Sequence, residues 1–348
     1  MDIKPKTKLI ALTLLIYGLP IFILSILPFS KGFFGDFESP IFNFLFNGKI
    51  LFSPTGIIFD LLLLYCAYLF IRDDISIEEE RVYLVYSGLK KIFSFVFIDK
   101  IKKDLAISKA EKVSVLFYFV KIFFTPIMIN FLINNTRSLI QFLSNSNSFE
   151  FTKANILGSY FYLIFYLILM IDTAIFAFGY LFESSFLKNT VKSVEPTALG
   201  WMVTLMCYPP FNDLTGRFLG WYSSDFNDFG NININIIAGA FSLLAFAIYC
   251  WASIALGFKA SNLTNRGIVS GGPYKYVRHP AYISKNLSWW IMGIPFIKTY
   301  GFVAILSLAV WTFIYFLRAL TEERHLIKDE AYVEYMKKTK YMFIPGVY

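Results

Sequence analysis

Charge is scarce in this chain: 16% of its 348 residues are charged, against about 25% in ordinary globular domains. Hydrophobic residues reach 57%, so lipid must solvate much of the surface. Cysteine is nearly absent, with only Cys66, Cys207 and Cys250, each inside an apolar run. That spacing excludes both a disulfide framework and a cysteine zinc site, and no metal is expected. Histidine is scarcer still, at two residues. Neither G-x-G-x-x-G nor G-x-x-x-x-G-K-[ST] occurs, which removes the usual signatures of Rossmann and P-loop nucleotide sites.

What remains abundant is aromatic. Forty Phe and twenty-two Tyr suit hydrocarbon and the headgroup boundary, where an amphipathic ring keeps its polar tip wet. The net charge of +8 comes from Lys and Arg at the ends of apolar runs, not from one basic stripe. Those residues read as topology signals and lipid contacts, and no nucleic-acid partner is expected.

Apolar runs long enough to consider as spans lie at 9–28, 56–71, 113–133, 156–182, 197–211, 236–258, 286–297 and 300–317. The fold expected is therefore all-α, a polytopic transmembrane helical bundle of about eight spans. The first run follows Lys4, Lys6 and Lys8 but lacks a small-residue cleavage site, so it is expected to be retained as a span. Basic residues concentrate before it, in 72–112, after Lys259 and after Arg318, whereas 212–235 carries Asp213, Asp225 and Asp228 against Arg217. By the positive-inside rule the basic segments and both termini face the cytoplasm.

The segment 72–112 mixes Glu78, Glu79, Glu80 and Lys100, Lys102, Lys103 with the apolar stretch 92–98, the pattern of an amphipathic piece lying on the membrane surface. Polar tracts at 144–148 and 227–235 read as loops on the opposite side. Three ionisable residues fall inside spans, namely Asp60, Lys121 and Asp172. Intramembrane charge marks functional sites by default, but each is alone in its run, and snorkelling or hydrogen bonding to a neighbouring helix serves equally.

Chemistry concentrates near the C-terminus. One polar cluster runs from Arg266 and Gly267 through Gly271, Gly272, Pro273, Tyr274, Lys275, Tyr276, Val277, Arg278, His279, Pro280, Ala281 and Tyr282. A second reads Arg318, Ala319, Leu320, Thr321, Glu322, Glu323, Arg324, His325, Leu326, followed by Tyr332, Tyr335 and Phe343, Ile344, Pro345. The last two runs between them are joined tightly around 295–300, which forces an antiparallel hairpin. With about 1.5 Å of rise per residue, the clusters come level on one face. Arg278 and His279 then lie opposite Glu322 and Glu323, a lining suited to a zwitterion such as S-adenosyl-L-methionine. A carboxylate there takes Arg or His donors, an ammonium takes Glu, and adenine takes a tyrosine face. Equally, Arg318 and Glu322 are four residues apart and form a simple helix pair. Trp289, Trp290 and Trp311 read as packing or lipid-belt residues.

The sequence GPYKYVRHPAY at 272–282, a helical hairpin, TEERHL at 321–326 and a Y-x-x-Y ending with FIP together resemble the isoprenylcysteine carboxyl methyltransferase family and related membrane phospholipid methyltransferases. The resemblance covers 262–348. It implies an integral multi-pass methyltransferase that binds S-adenosyl-L-methionine at the cytoplasmic boundary and receives a lipidic or prenylated acceptor from the membrane. By position it implies that Tyr274, Arg278, His279, Pro280, Tyr282, Glu322 and Glu323 bind the cofactor, and that Arg318 is catalytic, facing an acceptor carboxylate. Residues 1–261 would then span the membrane and shape the acceptor cavity, and 262–348 would form the cofactor-binding region. Ser284 stands where the family carries glycine after the R-H-P-x-Y tyrosine, and Lys328, Asp329, Glu330 and Ala331 replace its Phe-Gly before the Y-x-x-Y. Pro196, Pro209 and Pro210, around the short fifth run, could break a helix where a cavity is lined, which is permitted only away from lipid. Membrane sterol reductases, which use a dinucleotide such as NADPH, share a similar R-x-P-x-Y hairpin, but Glu322 and Glu323 without an acidic-basic reductase signature favour the methyltransferase; a transporter would place its polar residues at midplane.

Overall fold

The computed structural model describes residues 3–47, 53–72, 76–97, 106–144, 152–153, 156–224 and 226–347. Lys100, Lys102, Lys103, the tract at 145–148 and Asp225 lie outside the described residues. The chain divides into two compact units, Met1–Asn130 and Phe131–Tyr348.

In the first unit, α1 (Ile3–Thr13) passes through one π turn into α2 (Leu19–Ile26). Then come α3 (Pro28–Phe34), α4 (Pro40–Asn47), α5 (Pro54–Ile71), α6 (Arg81–Phe97) and the beginning of α7 (Lys109–Ser144). Leu9, Leu12 and Ile16 pack with Leu69, Val82 and Val85 into its core. Helix α5 starts where Ser53 accepts the Gly56 amide at 3.1 Å and Pro54 takes a position that needs no N–H. Gly56 is required there, because a Cβ would come within 1.9 Å of the Glu38 carbonyl oxygen. Asp60 accepts the Ser39 hydroxyl at 2.6 Å and the Ile41 amide at 2.9 Å, holding the start of α4. Its carboxylate is thus engaged with orphan donors of a helix end. Helix α7 opens with a capping box, Glu111 accepting the Ser108 amide at 2.8 Å and the Ser108 hydroxyl accepting the Glu111 amide at 3.1 Å. Helix α6 buries Val82, Val85 and Gly88 and exposes Phe93, Phe95 and Phe97, as an amphipathic surface helix would.

The second unit comprises the rest of α7, α8 (Phe161–Leu181), α9 (Ala198–Leu205), α10 (Phe211–Phe218), α11 (Ile232–Leu256), α12 (Pro280–Tyr300), α13 (Phe302–Leu326) and α14 (Glu330–Lys338). Its small β-ladder pairs β1 (Ser193–Val194) with β2 (Thr264–Asn265), antiparallel, with Ser193 opposite Asn265. Phe161, Phe165 and Ile168 of α8 pack against Phe246 and Cys250 of α11. Asp172 accepts hydrogen bonds from Tyr249, at 2.8 Å, and from Ser253, so this intramembrane carboxylate ties α8 to α11. Ser242 and Ser288 bond across α11 and α12 at 2.6 Å. Only Gly301, at φ +57°, joins α12 to α13; that left-handed conformation favours glycine and makes the expected hairpin. The Trp290 indole donates to Thr312 at 2.9 Å across it.

The architecture is helical and polytopic, as expected, but the span count differs. Six described stretches are long and apolar enough to cross a membrane: Pro5–Ile26, Pro54–Ile71, Lys109–Ser144, Phe161–Leu181, Ile232–Lys259 and Phe302–Leu326. The run at 197–211 is not a span, because it forms the eight-residue α9 and a turn into α10. Eight residues rise about 12 Å, well short of the roughly 30 Å hydrocarbon core. The run at 286–297 belongs to α12, whose 21 residues are long enough but include Ser284, Lys285, Asn286 and Ser288. Ser284, Asn286 and Ser288 are buried within the protein, where they satisfy local carbonyls and α11.

Candidate functional site

The two C-terminal clusters meet at the open end of the α12–α13 hairpin. Pro280 begins α12, its missing N–H falling where a helix has no acceptor to offer, and α13 carries Arg318, Glu322 and Glu323 past it. The Arg278 guanidinium grips Glu323 at two points, Nε to Oε1 at 2.5 Å and Nη2 to Oε2 at 3.2 Å. Its Nη1 donates to the carbonyls of Thr339, at 3.1 Å, and Lys340, at 2.6 Å. Glu323 also lies 3.3 Å from His279 Nε2 and accepts the Tyr332 hydroxyl at 3.3 Å. The backbone amides of Arg278 and His279 donate to Tyr341 and Met342, each at 3.0 Å. Tyr335 donates to the Tyr274 carbonyl at 2.7 Å. Both tyrosines of the Y-x-x-Y thus tie the tail onto the clusters.

Behind this frame opens a cleft with about 1090 Å³ of empty space, part of it open to solvent. Its walls include Tyr274, His279, Tyr282, Arg318 and Glu322. Arg278 contributes to the wall, while Pro280 and Glu323 stand outside it. The Tyr282 hydroxyl donates to Glu322 at 2.7 Å, and the Tyr282 ring stacks on His279 with centroids 5.3 Å apart. Burial pushes the Tyr274 phenol well above its usual range, and the Glu322 carboxylate adds to the rise. Tyr274 therefore contributes a neutral phenol to the cleft wall.

Arg318 is 6% exposed. Its guanidinium carbon lies over the rings of Tyr282, Tyr208 and Tyr315 at 5.0, 5.7 and 5.8 Å, and Nη2 donates to Asn262 Oδ1. Among the described residues Arg318 forms no salt bridge. The four-residue spacing to Glu322 therefore does not produce a pair, since Glu322 turns to Tyr282. A buried guanidinium stacked on tyrosines keeps its charge and its capacity for a planar anion.

Several site residues carried no sequence signal. Tyr208 reaches the cleft from the turn after α9, where the prolines break the expected span. Asn262, which orients Arg318, accompanies no motif. Lys285 joins the wall from α12, with its ammonium 5.5 and 5.3 Å from the ring centres of Tyr249 and Trp289. Among the described residues no three His, Cys, Asp or Glu gather as a metal site would.

Residues 234–332 match the family model described as phospholipid methyltransferase, a family related to the isoprenylcysteine carboxyl methyltransferases. The matched segment runs from α11 to Tyr332 and contains both clusters. Together with the six apolar stretches it supports a membrane methyltransferase. Neither a curated protein nor a solved structure matches the chain.

Proposed function

We propose that this chain is an integral membrane methyltransferase that takes its methyl group from S-adenosyl-L-methionine and delivers it to a carboxylate on a lipidic, isoprenylcysteine-like acceptor. The observation that carries the acceptor reading is Arg318, a buried guanidinium on the cleft wall without a carboxylate partner among the described residues. An intramembrane cation of this kind is costly until an anion meets it, and a carboxylate fits its two-point geometry.

The cleft chemistry fits the methyl donor. That donor is a zwitterionic nucleoside, and the wall provides a carboxylate in Glu322, aromatic faces in Tyr274, His279 and Tyr282, and cationic groups. Arg278, Pro280 and Glu323 act one step behind, fixing the start of α12 against α13 so that those side chains keep their places. When bound, the donor supplies an electrophilic methyl on sulfonium. Residues 262–348 hold it, and Tyr208, Tyr249 and Ser253 from before residue 262 extend the wall toward the acceptor. The basic residues Lys259, Arg266, Lys275 and Lys337 at this end of the hairpin favour a cytoplasmic orientation.

Methyl transfer to a carboxylate is an in-line displacement without proton transfer, so no general base is needed. The chain contributes by positioning. Arg318 fixes the acceptor oxygens for near-attack geometry, and its buried, ring-lined surroundings would strip the carboxylate of hydration. A second reading, N-methylation of a phospholipid amine, draws on the family description. Arg318 would then take the phosphate, and Glu322 or His279 would receive the nitrogen proton. Incubating purified protein with methyl-labelled S-adenosyl-L-methionine and either a prenylated cysteine or phosphatidylethanolamine tests both readings. Label in the former product supports the carboxylate, label in the latter the amine, and label in neither contradicts methyl transfer to these acceptors.

A further inference from the structure

A second, smaller cavity adjoins the cleft and shares with it the wall formed by Asn262, Thr264, Tyr282, Arg318 and Glu322. Its far side is Glu195 together with His325. Glu195 lies outside both clusters and outside the matched segment, on the loop between β1 and α9. Its amide donates to Leu263 at 2.7 Å beside the β-ladder, and its carbonyl accepts the Trp201 indole at 2.8 Å. Residue 200 must be glycine for the side chain to fit, since a Cβ there would come within 2.4 Å of Glu195 Cγ.

So fixed, Glu195 is 2% exposed. Its Oε1 accepts from the Thr197 amide at 3.0 Å, the Thr197 hydroxyl and Arg324 at 3.0 Å. Among the described residues its Oε2 is buried without a hydrogen-bond partner, and so is Thr264 Oγ1 on the shared wall. A buried carboxylate oxygen left unsatisfied in a carefully built position is costly. The cavity therefore holds two carboxylates, Glu195 and Glu322, and hydroxyl acceptors around a small space beside Arg318.

We propose that Glu195 forms, with Glu322, a subsite for a primary ammonium group. This rests on the methyltransferase reading of the adjoining cleft. Two sources supply that chemistry: the amino-acid end of the methyl donor, or the amine of an aminolipid. A neutral glutamine at 195 keeps the shape and the Oε1 contacts but removes the charge that the ammonium needs.

The test measures binding of S-adenosylmethionine and of 5′-methylthioadenosine, which lacks the amino-acid end, to the intact protein and to Glu195→Gln, together with equilibrium binding of phosphatidylethanolamine in mixed micelles. A loss of tenfold or more for S-adenosylmethionine, with methylthioadenosine unchanged, supports the subsite and assigns it to the donor. Unchanged donor binding with phosphatidylethanolamine binding weakened tenfold or more supports the subsite and assigns it to an aminolipid. No change in either overturns it. Arg324→Gln, which removes the partner of Oε1 but keeps the carboxylate, guards against a merely structural effect: it should leave binding intact, and an equal loss in both variants overturns the subsite. Failure of the unmodified protein to bind either nucleoside overturns the methyltransferase reading itself, and the inference with it.

Discussion

Arg278 and Glu323, forty-five residues apart, form a two-point ion pair that also carries the C-terminal tail, because the same guanidinium donates to the carbonyls of Thr339 and Lys340. Both side chains are about nine-tenths buried. Removing one partner leaves a buried charge uncompensated, which costs about 3–5 kcal/mol in comparable pairs. Arg278→Ala should therefore destabilise the unit by that order and release α14 to proteolysis, as chemical unfolding and limited digestion would record. Unchanged stability would mean that the pair is not what fastens the tail.

Glu322 has a different environment. Its described hydrogen bond is to Tyr282 at 2.7 Å, on the cleft wall. Glu322→Ala should weaken S-adenosyl-L-methionine binding by about 1–3 kcal/mol, the usual loss when a polar partner goes unpaired, while leaving the melting temperature nearly unchanged. His279→Ala should weaken binding by a similar amount, through the lost stack on Tyr282. Calorimetry on both variants checks this; intact affinity in both would assign the two side chains to structure alone.

The contrast between these glutamates marks the limit of what the sequence discloses. GPYKYVRHPAY, TEERHL and the apolar runs between them were enough to foresee the hairpin and the meeting of the clusters. They could not say which of two adjacent glutamates faces inward, because that depends on the phase of α13 against a tail whose docking is tertiary. Tyr208, Asn262 and Glu195 come from segments whose local pattern carries no chemistry, and only the fold around β1 and β2 delivers them. The error over 197–211 has the same origin: composition made that run look like a span, whereas the helix that Thr197 caps stops at Leu205 and Pro210 precedes a separate helix.

Acid should loosen the β2 to α14 junction. Hydrogen bonding from Asn265, at 2.9 Å, holds the Asp329 carboxyl below its usual range against some burial, and Lys192 at 3.1 Å adds to this. A carboxyl lowered in the folded state stabilises fully above its unfolded pKa of about 3.9, and that contribution disappears as the pH falls through the folded value. Melting temperatures of the wild type and Asp329→Asn should therefore differ at pH 6 and converge toward pH 3. A constant difference across that range would remove Asp329 from the acid response.

Orientation follows from loop charge. In a variant with Cys66, Cys207 and Cys250 replaced, single cysteines at Gly271 and Lys337 should label from the cytoplasmic side, and one at Asp228 from the opposite side. Labelling of 271 and 228 from the same side would contradict this orientation, which the proposed cytosolic methyl donor requires.

The central claim is that Arg318 waits for an anionic acceptor, and one variant tests it most directly. An ammonium cannot reproduce the planar two-point clamp on a carboxylate. Arg318→Lys should bind S-adenosyl-L-methionine as the wild type does, yet lose most methyl transfer to a lipid-linked carboxylate, by roughly a hundredfold for about 3 kcal/mol of lost transition-state stabilisation. Transfer at the wild-type rate, or loss of donor binding and transfer together, would contradict the assignment.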